Sequence, residues 1–239
     1  VALQVGHTLD FFVGDARLLR DRIARVLPRR DAARPGFHAV LGMHAFGLEE
    51  CGDYAAAEQS GRRAVELQPR DTWAWHAVAH VHEMRNDPAA GIAWLAPNRA
   101  VWSTESFFAV HNTWHLALFL LEQDRHDDVL ALYDEAIGGS SVVLDLVDQS
   151  ALLWRLHLRG VPLGTRFAAL ADRWAPLAAG GNYAFNDLHA MIAFVGADRP
   201  ADQQRVRDAQ QAALAADGDN AQFVREVGAP AVRAVQAYG

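Results

Sequence analysis

His76 and His80 stand four residues apart, and the same spacing returns 35 residues later at His111 and His115. On a helix, residues four apart share a face, so each pair presents two imidazoles in one direction. A shift of this size matches a helical-hairpin repeat, whose stacking would bring the two faces side by side. Four imidazoles meeting in one groove suit two chemistries. As neutral ligands they chelate a divalent ion, and with Asp or Glu they suit zinc, iron, nickel or manganese. As groups titrating near neutral pH they transfer protons, with a carboxylate such as Asp145 or Asp187 orienting the base. A polar network internal to the fold is the third reading that the residue types allow.

Counting back from the Asn86-Asp87 turn places His76, His80 and Glu83 at repeat positions that line a concave groove. Counting from Asp124-Arg125 places His111 and His115 about one helical turn, roughly 4–5 Å, out of step with the first pair. Asp145, Asp148, Asp187 and His189 fall on later inner helices, and His189 aligns with His115 when their turns are superposed. The expected site therefore takes its reactive groups from His76, His80, His111, His115, Asp145, Asp187 and His189. Glu83, Asn112, Trp75, Trp114, Asp148, Phe185 and Tyr183 are expected to contact the ligand, with Phe107 as a further wall and Gly42 leaving room. Asp145 and Asp187 have a competing use as helix caps, and Trp75 and Trp114 one as packing residues.

Other chemistries fit less well. Cys51 belongs to a hairpin turn, and Ser150 lacks the strained elbow of a nucleophile. Glu83 follows His82 directly, without the second histidine of a zincin helix. Neither a glycine-rich phosphate loop nor a dinucleotide fingerprint is present, so a divalent ion is the one cofactor the residues suggest. His7, His38, His44, His82, His126 and His157 read as hydrogen-bonded packing residues on apolar helices.

The elements that must hold these groups read as helices throughout, with almost no strand-type alternation. The clearest unit runs from Phe37 to Arg70: an apolar-periodic helix ending near Cys51, a Gly52-Asp53-Tyr54 turn, a second helix from Ala55 to Leu67, then Pro69. With Ala57 and Ala64 at close-packing sites it resembles a tetratricopeptide repeat, although Gly61 replaces the usual aromatic residue. Similar pairs follow from Asp71 to Asn98, from Ser103 to Ile137, from Val142 to Ala178 and from Tyr183 to Ala216. The first 28 residues supply another, broken at Gly14-Asp15. The expected fold is all-α: a right-handed α-solenoid of about six degenerate TPR-like hairpins in a single domain over 1–239, with Asn220 to Tyr238 as a capping helix.

Beyond the generic repeat, the chain resembles the tetratricopeptide repeat protein 38 family. The resemblance rests on Val40–Glu50, Trp75–Met84, His111–Phe119, Leu144–Asp148 and Phe185–Met191, and it covers nearly the whole chain. It implies the helical-repeat fold and carries no general activity with it. Members are often longer toward the N-terminus, so further repeats could precede Val1.

Composition narrows the partners. With 239 residues, 51% of them hydrophobic and 21% charged, the chain can bury a sizeable core. All 22 basic residues are arginine, which suggests a high-GC bacterial genome and leaves no lysine for imine chemistry. A net charge of −7 without a basic face argues against nucleic acid. A single cysteine and no apolar run of about 18 residues fit a cytoplasmic chain without a membrane span. The expected partner is a small molecule in an enclosed pocket, because the groove offers His, Glu, Asp and Trp. The alternative is a scaffold for a peptide or protein, the ordinary use of such grooves.

Overall fold

The computed structural model describes residues 1–177 and 181–239; the Ala178 boundary of one expected hairpin lies outside them. The described residues form helices and no strands. No helix among them is long and apolar enough to cross a membrane. The chain divides into two compact units, Val1–Asp124 and Arg125–Gly239.

The first unit contains α1 (Ala2–Phe12), α2 (Ala16–Val26), α3 (Phe37–Glu49), α4 (Tyr54–Leu67), α5 (Thr72–Met84), α6 (Pro88–Leu95), α7 (Arg99–Ser103) and α8 (Ala109–Leu121). Short polar turns separate most of them, and the turn chemistry is visible in the sequence. Gly14, Gly52 and Asn86 each take a left-handed conformation directly before an aspartate. Asp15 and Asp87 then cap the next helix, accepting from the amides of Leu18 at 2.8 Å and Ala90 at 3.0 Å.

α5 is the centre of this unit. It packs against α3, α4, α6 and α8, so it is apolar on nearly every side, as a buried helix must be. Its start is fixed by Asp71, which accepts from the Ala74 amide at 3.1 Å and from the His38 ring at 2.6 Å. Phe46 from α3, with Ala77 from α5 and Leu19 from α2, forms a core cluster against which Trp73 packs. Gly61 lets α4 close on α5: a β-carbon there would collide with Val78 at 2.5 Å.

Two expectations for this unit need correction. The third hairpin was to begin near Ser103, but Ser103 ends the separate short helix α7, and α8 starts only at Ala109 after a linker with Glu105 in a left-handed conformation. Gly42 does not open space for a ligand, because Ala74 and Asp71 fill the position its β-carbon would face.

The second unit contains α9 (His126–Leu132), which runs into a π-helical turn at Tyr133–Ile137, then α10 (Val143–Leu158), α11 (Arg166–Trp174), α12 (Ala184–Gly196) and α13 (Pro200–Leu214). α14 (Asp219–Phe223), a second π-helical turn at Val224–Gly228 and α15 (Ala229–Tyr238) replace the single terminal helix expected from Asn220. Pro230 lies in the first turn of α15 and has no N–H to give to an uninterrupted ladder, which accounts for the change of register. α12 is central here, packed by α10, α11, α13 and α15.

Candidate functional site

The four expected histidines of the first unit come together. One ring nitrogen from each of His76, His80, His111 and His115 lies within 4.8 Å of the others. His76 and His80 project from consecutive turns of α5, and His111 and His115 from the first two turns of α8, the helix packed beside it. The pairs stand level rather than one turn apart: the His76 and His111 ring centres are 4.9 Å apart, and those of His80 and His115 are 4.7 Å apart. Counting from the turns misplaced them because α8 carries three more residues between His115 and its left-handed Asp124 than α5 has between His80 and Asn86.

The nitrogen geometry is specific. His111 Nε2 lies 3.1 Å from His76 Nε2 and 3.2 Å from His115 Nε2. An imidazole nitrogen has one in-plane direction, carrying either a proton or a lone pair, so it satisfies one such neighbour and not two. Ligand nitrogens around a tetrahedral ion with bonds of roughly 2.0–2.1 Å are about 3.3 Å apart, close to the two separations from His111 Nε2.

Burial sets the charge state. His76 is 3% exposed and His115 4% exposed. Burial first, and then the neighbouring histidines, hold both rings well below the ordinary histidine value, so they are neutral donors. His80 and His111 are half-buried and form the solvent side of the cluster. The groove expected from the repeat positions is thus closed over two of its four histidines.

Aromatic rings surround the cluster. Phe46 stacks on His76 with centres 5.5 Å apart, and Trp73 and Phe108 pack against the same ring at 5.1 and 5.5 Å. Trp114 lies parallel to His111, with ring centres 5.5 Å apart. The outer Nδ1 atoms of His76 and His115 meet no hydrogen-bond partner among the described residues.

Several expected contributors stand elsewhere. Trp75 does not wall the cluster: its ring lies 4.1 Å from that of Trp94, and its N–H donates to the Pro69 carbonyl at 2.8 Å. Asn112 is a tie between helices, donating to the Thr72 carbonyl at 3.2 Å. Phe107 is 71% exposed, and Phe108 supplies the ring facing His76. Glu83 is exposed near the end of α5 and outside the metal-capable groups, whereas Glu49, which the sequence reading missed, brings its Oε2 within 3.3 Å of His80 Nδ1. Only its place in the last turn of α3, a helix packed against α5, could have signalled it.

The remaining expected residues belong to the second unit. Asp145 sits in the first turn of α10 and accepts from the Ser140 hydroxyl at 2.6 Å, without capping the helix amides. His189 donates from Nδ1 to the Phe185 carbonyl at 2.8 Å, packs against the Phe185 ring at 4.5 Å and feels the buried Asp148 charge. Tyr183 lies beside Phe185, with ring centres 5.9 Å apart. Asp187, two residues before His189, points to another side of α12, where Gln210 donates to it at 3.3 Å. Burial raises the Asp187 carboxyl to about 6. Within this unit, then, Asp148 accompanies His189, and Asp187 does not.

Neither alternative nucleophile is poised for attack. The Ser150 hydroxyl donates to Leu146 and accepts from Trp174, and the Cys51 thiol donates to the Ala16 carbonyl.

No family model matches the chain, and no solved structure matches it.

Proposed function

We propose that the chain is a TPR-like helical-repeat protein that binds a divalent d-block metal ion through His76, His80, His111 and His115. The observation that carries this reading is the position of His111 Nε2, 3.1 and 3.2 Å from two other Nε2 atoms that it cannot both satisfy by hydrogen bonding. A shared cation resolves that conflict, since all the lone pairs then point at one centre. All-imidazole ligation favours zinc, copper, nickel, cobalt or iron over magnesium and calcium, which take oxygen ligands.

The repeat part of the proposal is supported by the succession of contacts in the first unit. α3 packs on α4 and α5, and α5 on α6 and α8, in the order a stack of hairpins requires. Four ligands from two adjacent inner helices would cross-link neighbouring repeats and leave the half-buried His80 and His111 as the side from which the ion exchanges. A small molecule recognised at this site would approach that side and coordinate the ion.

Titration of the metal-free protein with Co(II) tests the reading, because tetrahedral nitrogen ligation gives intense visible ligand-field bands. The bands should saturate at one ion per chain and be absent from the His80→Ala/His111→Ala variant. A folded wild-type protein with no such bands, and with no zinc binding in competition with a chromophoric chelator, would refute it.

A further inference from the structure

We infer that Glu49 is the positioning residue of this site, holding His80 with its proton on Nδ1 and its Nε2 lone pair directed at the ion. The inference rests on the metal-binding reading and adds a residue from a third helix, α3, to the two that carry the histidines.

Glu49 occupies a place that the fold alone disfavours for a carboxylate. It is 5% exposed, it ends α3 where the helix dipole repels negative charge, and Glu50 follows it. Among the described residues its ion-pairing partner is His80, with Oε2 3.3 Å from Nδ1, and no arginine compensates it. An unfavourable residue kept beside a functional cluster is the pattern in which local stability is given up for a site.

What the contact does follows from the donor inventory. An ionised carboxylate only accepts, so the shared proton must sit on His80 Nδ1. That leaves Nε2 as the ligand atom, whereas a free neutral imidazole prefers its proton on Nε2. The carboxylate also lowers the net charge of four neutral imidazoles around a divalent ion by one. α3 packs against α5, so this control is built into the same inter-helix contact that places His80.

The test compares wild type, Glu49→Gln and Glu49→Ala. Each is titrated with Zn(II) against a chromophoric chelator, and the metal-free ring nitrogens are assigned by 15N-histidine NMR. Glu49→Ala should bind one zinc about 10–100-fold more weakly and shift His80 to the Nε2–H form. Glu49→Gln, whose amide oxygen still accepts from Nδ1–H, should keep the tautomer and lose a smaller part of the affinity; it also serves if the alanine variant folds poorly. Wild-type zinc affinity in both variants with His80 unchanged would overturn the assignment while leaving the metal site standing. A change of ligand number on loss of Glu49, read by X-ray absorption, would make it a ligand and overturn the positioning role. Failure of the wild type to bind zinc would overturn the metal reading and this inference with it.

Discussion

His76 Nε2 and His111 Nε2, 35 residues apart in the chain, stand 3.1 Å from each other where α5 packs on α8. Two buried or half-buried imidazoles at that distance either share a proton or share an ion. The additional approach of His115 Nε2 to His111 at 3.2 Å favours the ion, because one nitrogen cannot serve two hydrogen-bond partners. The four rings together then act as a unit, and each one removed should cost the site dearly.

His111→Ala should therefore lower zinc affinity by about 100-fold or more, because a structural zinc site is worth roughly 10–16 kcal/mol spread over four ligands. His111 is half-buried, so helical circular dichroism should be retained. Competition with a chelator of known affinity measures the first effect, and the far-ultraviolet spectrum the second. Unchanged affinity in a folded variant would remove His111 from the ligand set.

An ion held between α5 and α8 should stabilise the unit that contains them. Zinc at 100 times its dissociation constant should raise the unfolding free energy by about 2.7 kcal/mol, provided the unfolded chain binds it weakly. Denaturant unfolding with and without zinc measures this. The increment should vanish in His76→Ala/His111→Ala, which would separate specific ligation from general metal effects.

Much of this site was legible in the sequence, and the reasons are physical. Spacing of four on a helix, repeated at hairpin length, is enough to bring His76, His80, His111 and His115 together, and the structure does so. The capping aspartates and left-handed turn residues were equally readable, since Gly52, Asn86 and Asp15 announce their backbone roles. Three things were not. The level register of the two pairs depends on how far α8 extends beyond His115, and no local pattern encodes that. Glu49 reaches His80 from α3 across an inter-helix contact, so sequence proximity pointed to Glu83 instead. Trp75 looked like a wall residue until its partner Trp94, on the next helix, was placed against it.

His7 gives a pH dependence with a definite sign. It packs against Phe46 and Trp73, and burial lowers it from 6.5 to about 4. The unfolded chain therefore takes up this proton near pH 6.5 while the folded chain refuses it until about pH 4. Its effect is absent above 6.5, and stability drains away as pH falls from 6.5 toward 4. His7→Phe should flatten that loss, recovering roughly 1–2 kcal/mol at pH 5 as read by denaturant unfolding across the range. An unaltered pH profile would show that His7 is not kept neutral by burial.

Asp187 in the second unit should act in the opposite sense. Burial raises it from 3.8 to about 6, so between those values the folded chain holds a proton that the unfolded chain has lost. Stability should then fall as pH rises through this window and stay low above it. Asp187→Asn keeps an oxygen to accept from Gln210 and removes the charge, so it should stabilise the protein at pH 7 by about 1–2 kcal/mol. Destabilisation by the asparagine at pH 7 would mean that the carboxylate is compensated in the folded state.

The central claim is tested most directly by the metal content of the untagged protein, purified without chelators and measured by elemental mass spectrometry beside His80→Ala/His111→Ala. The four-imidazole site predicts close to one d-block ion per chain in the wild type, directly or after reconstitution, and its loss in the variant. A wild-type protein that retains no such ion after exposure to zinc, cobalt, nickel, copper and ferrous iron, or a variant that retains as much, would contradict it.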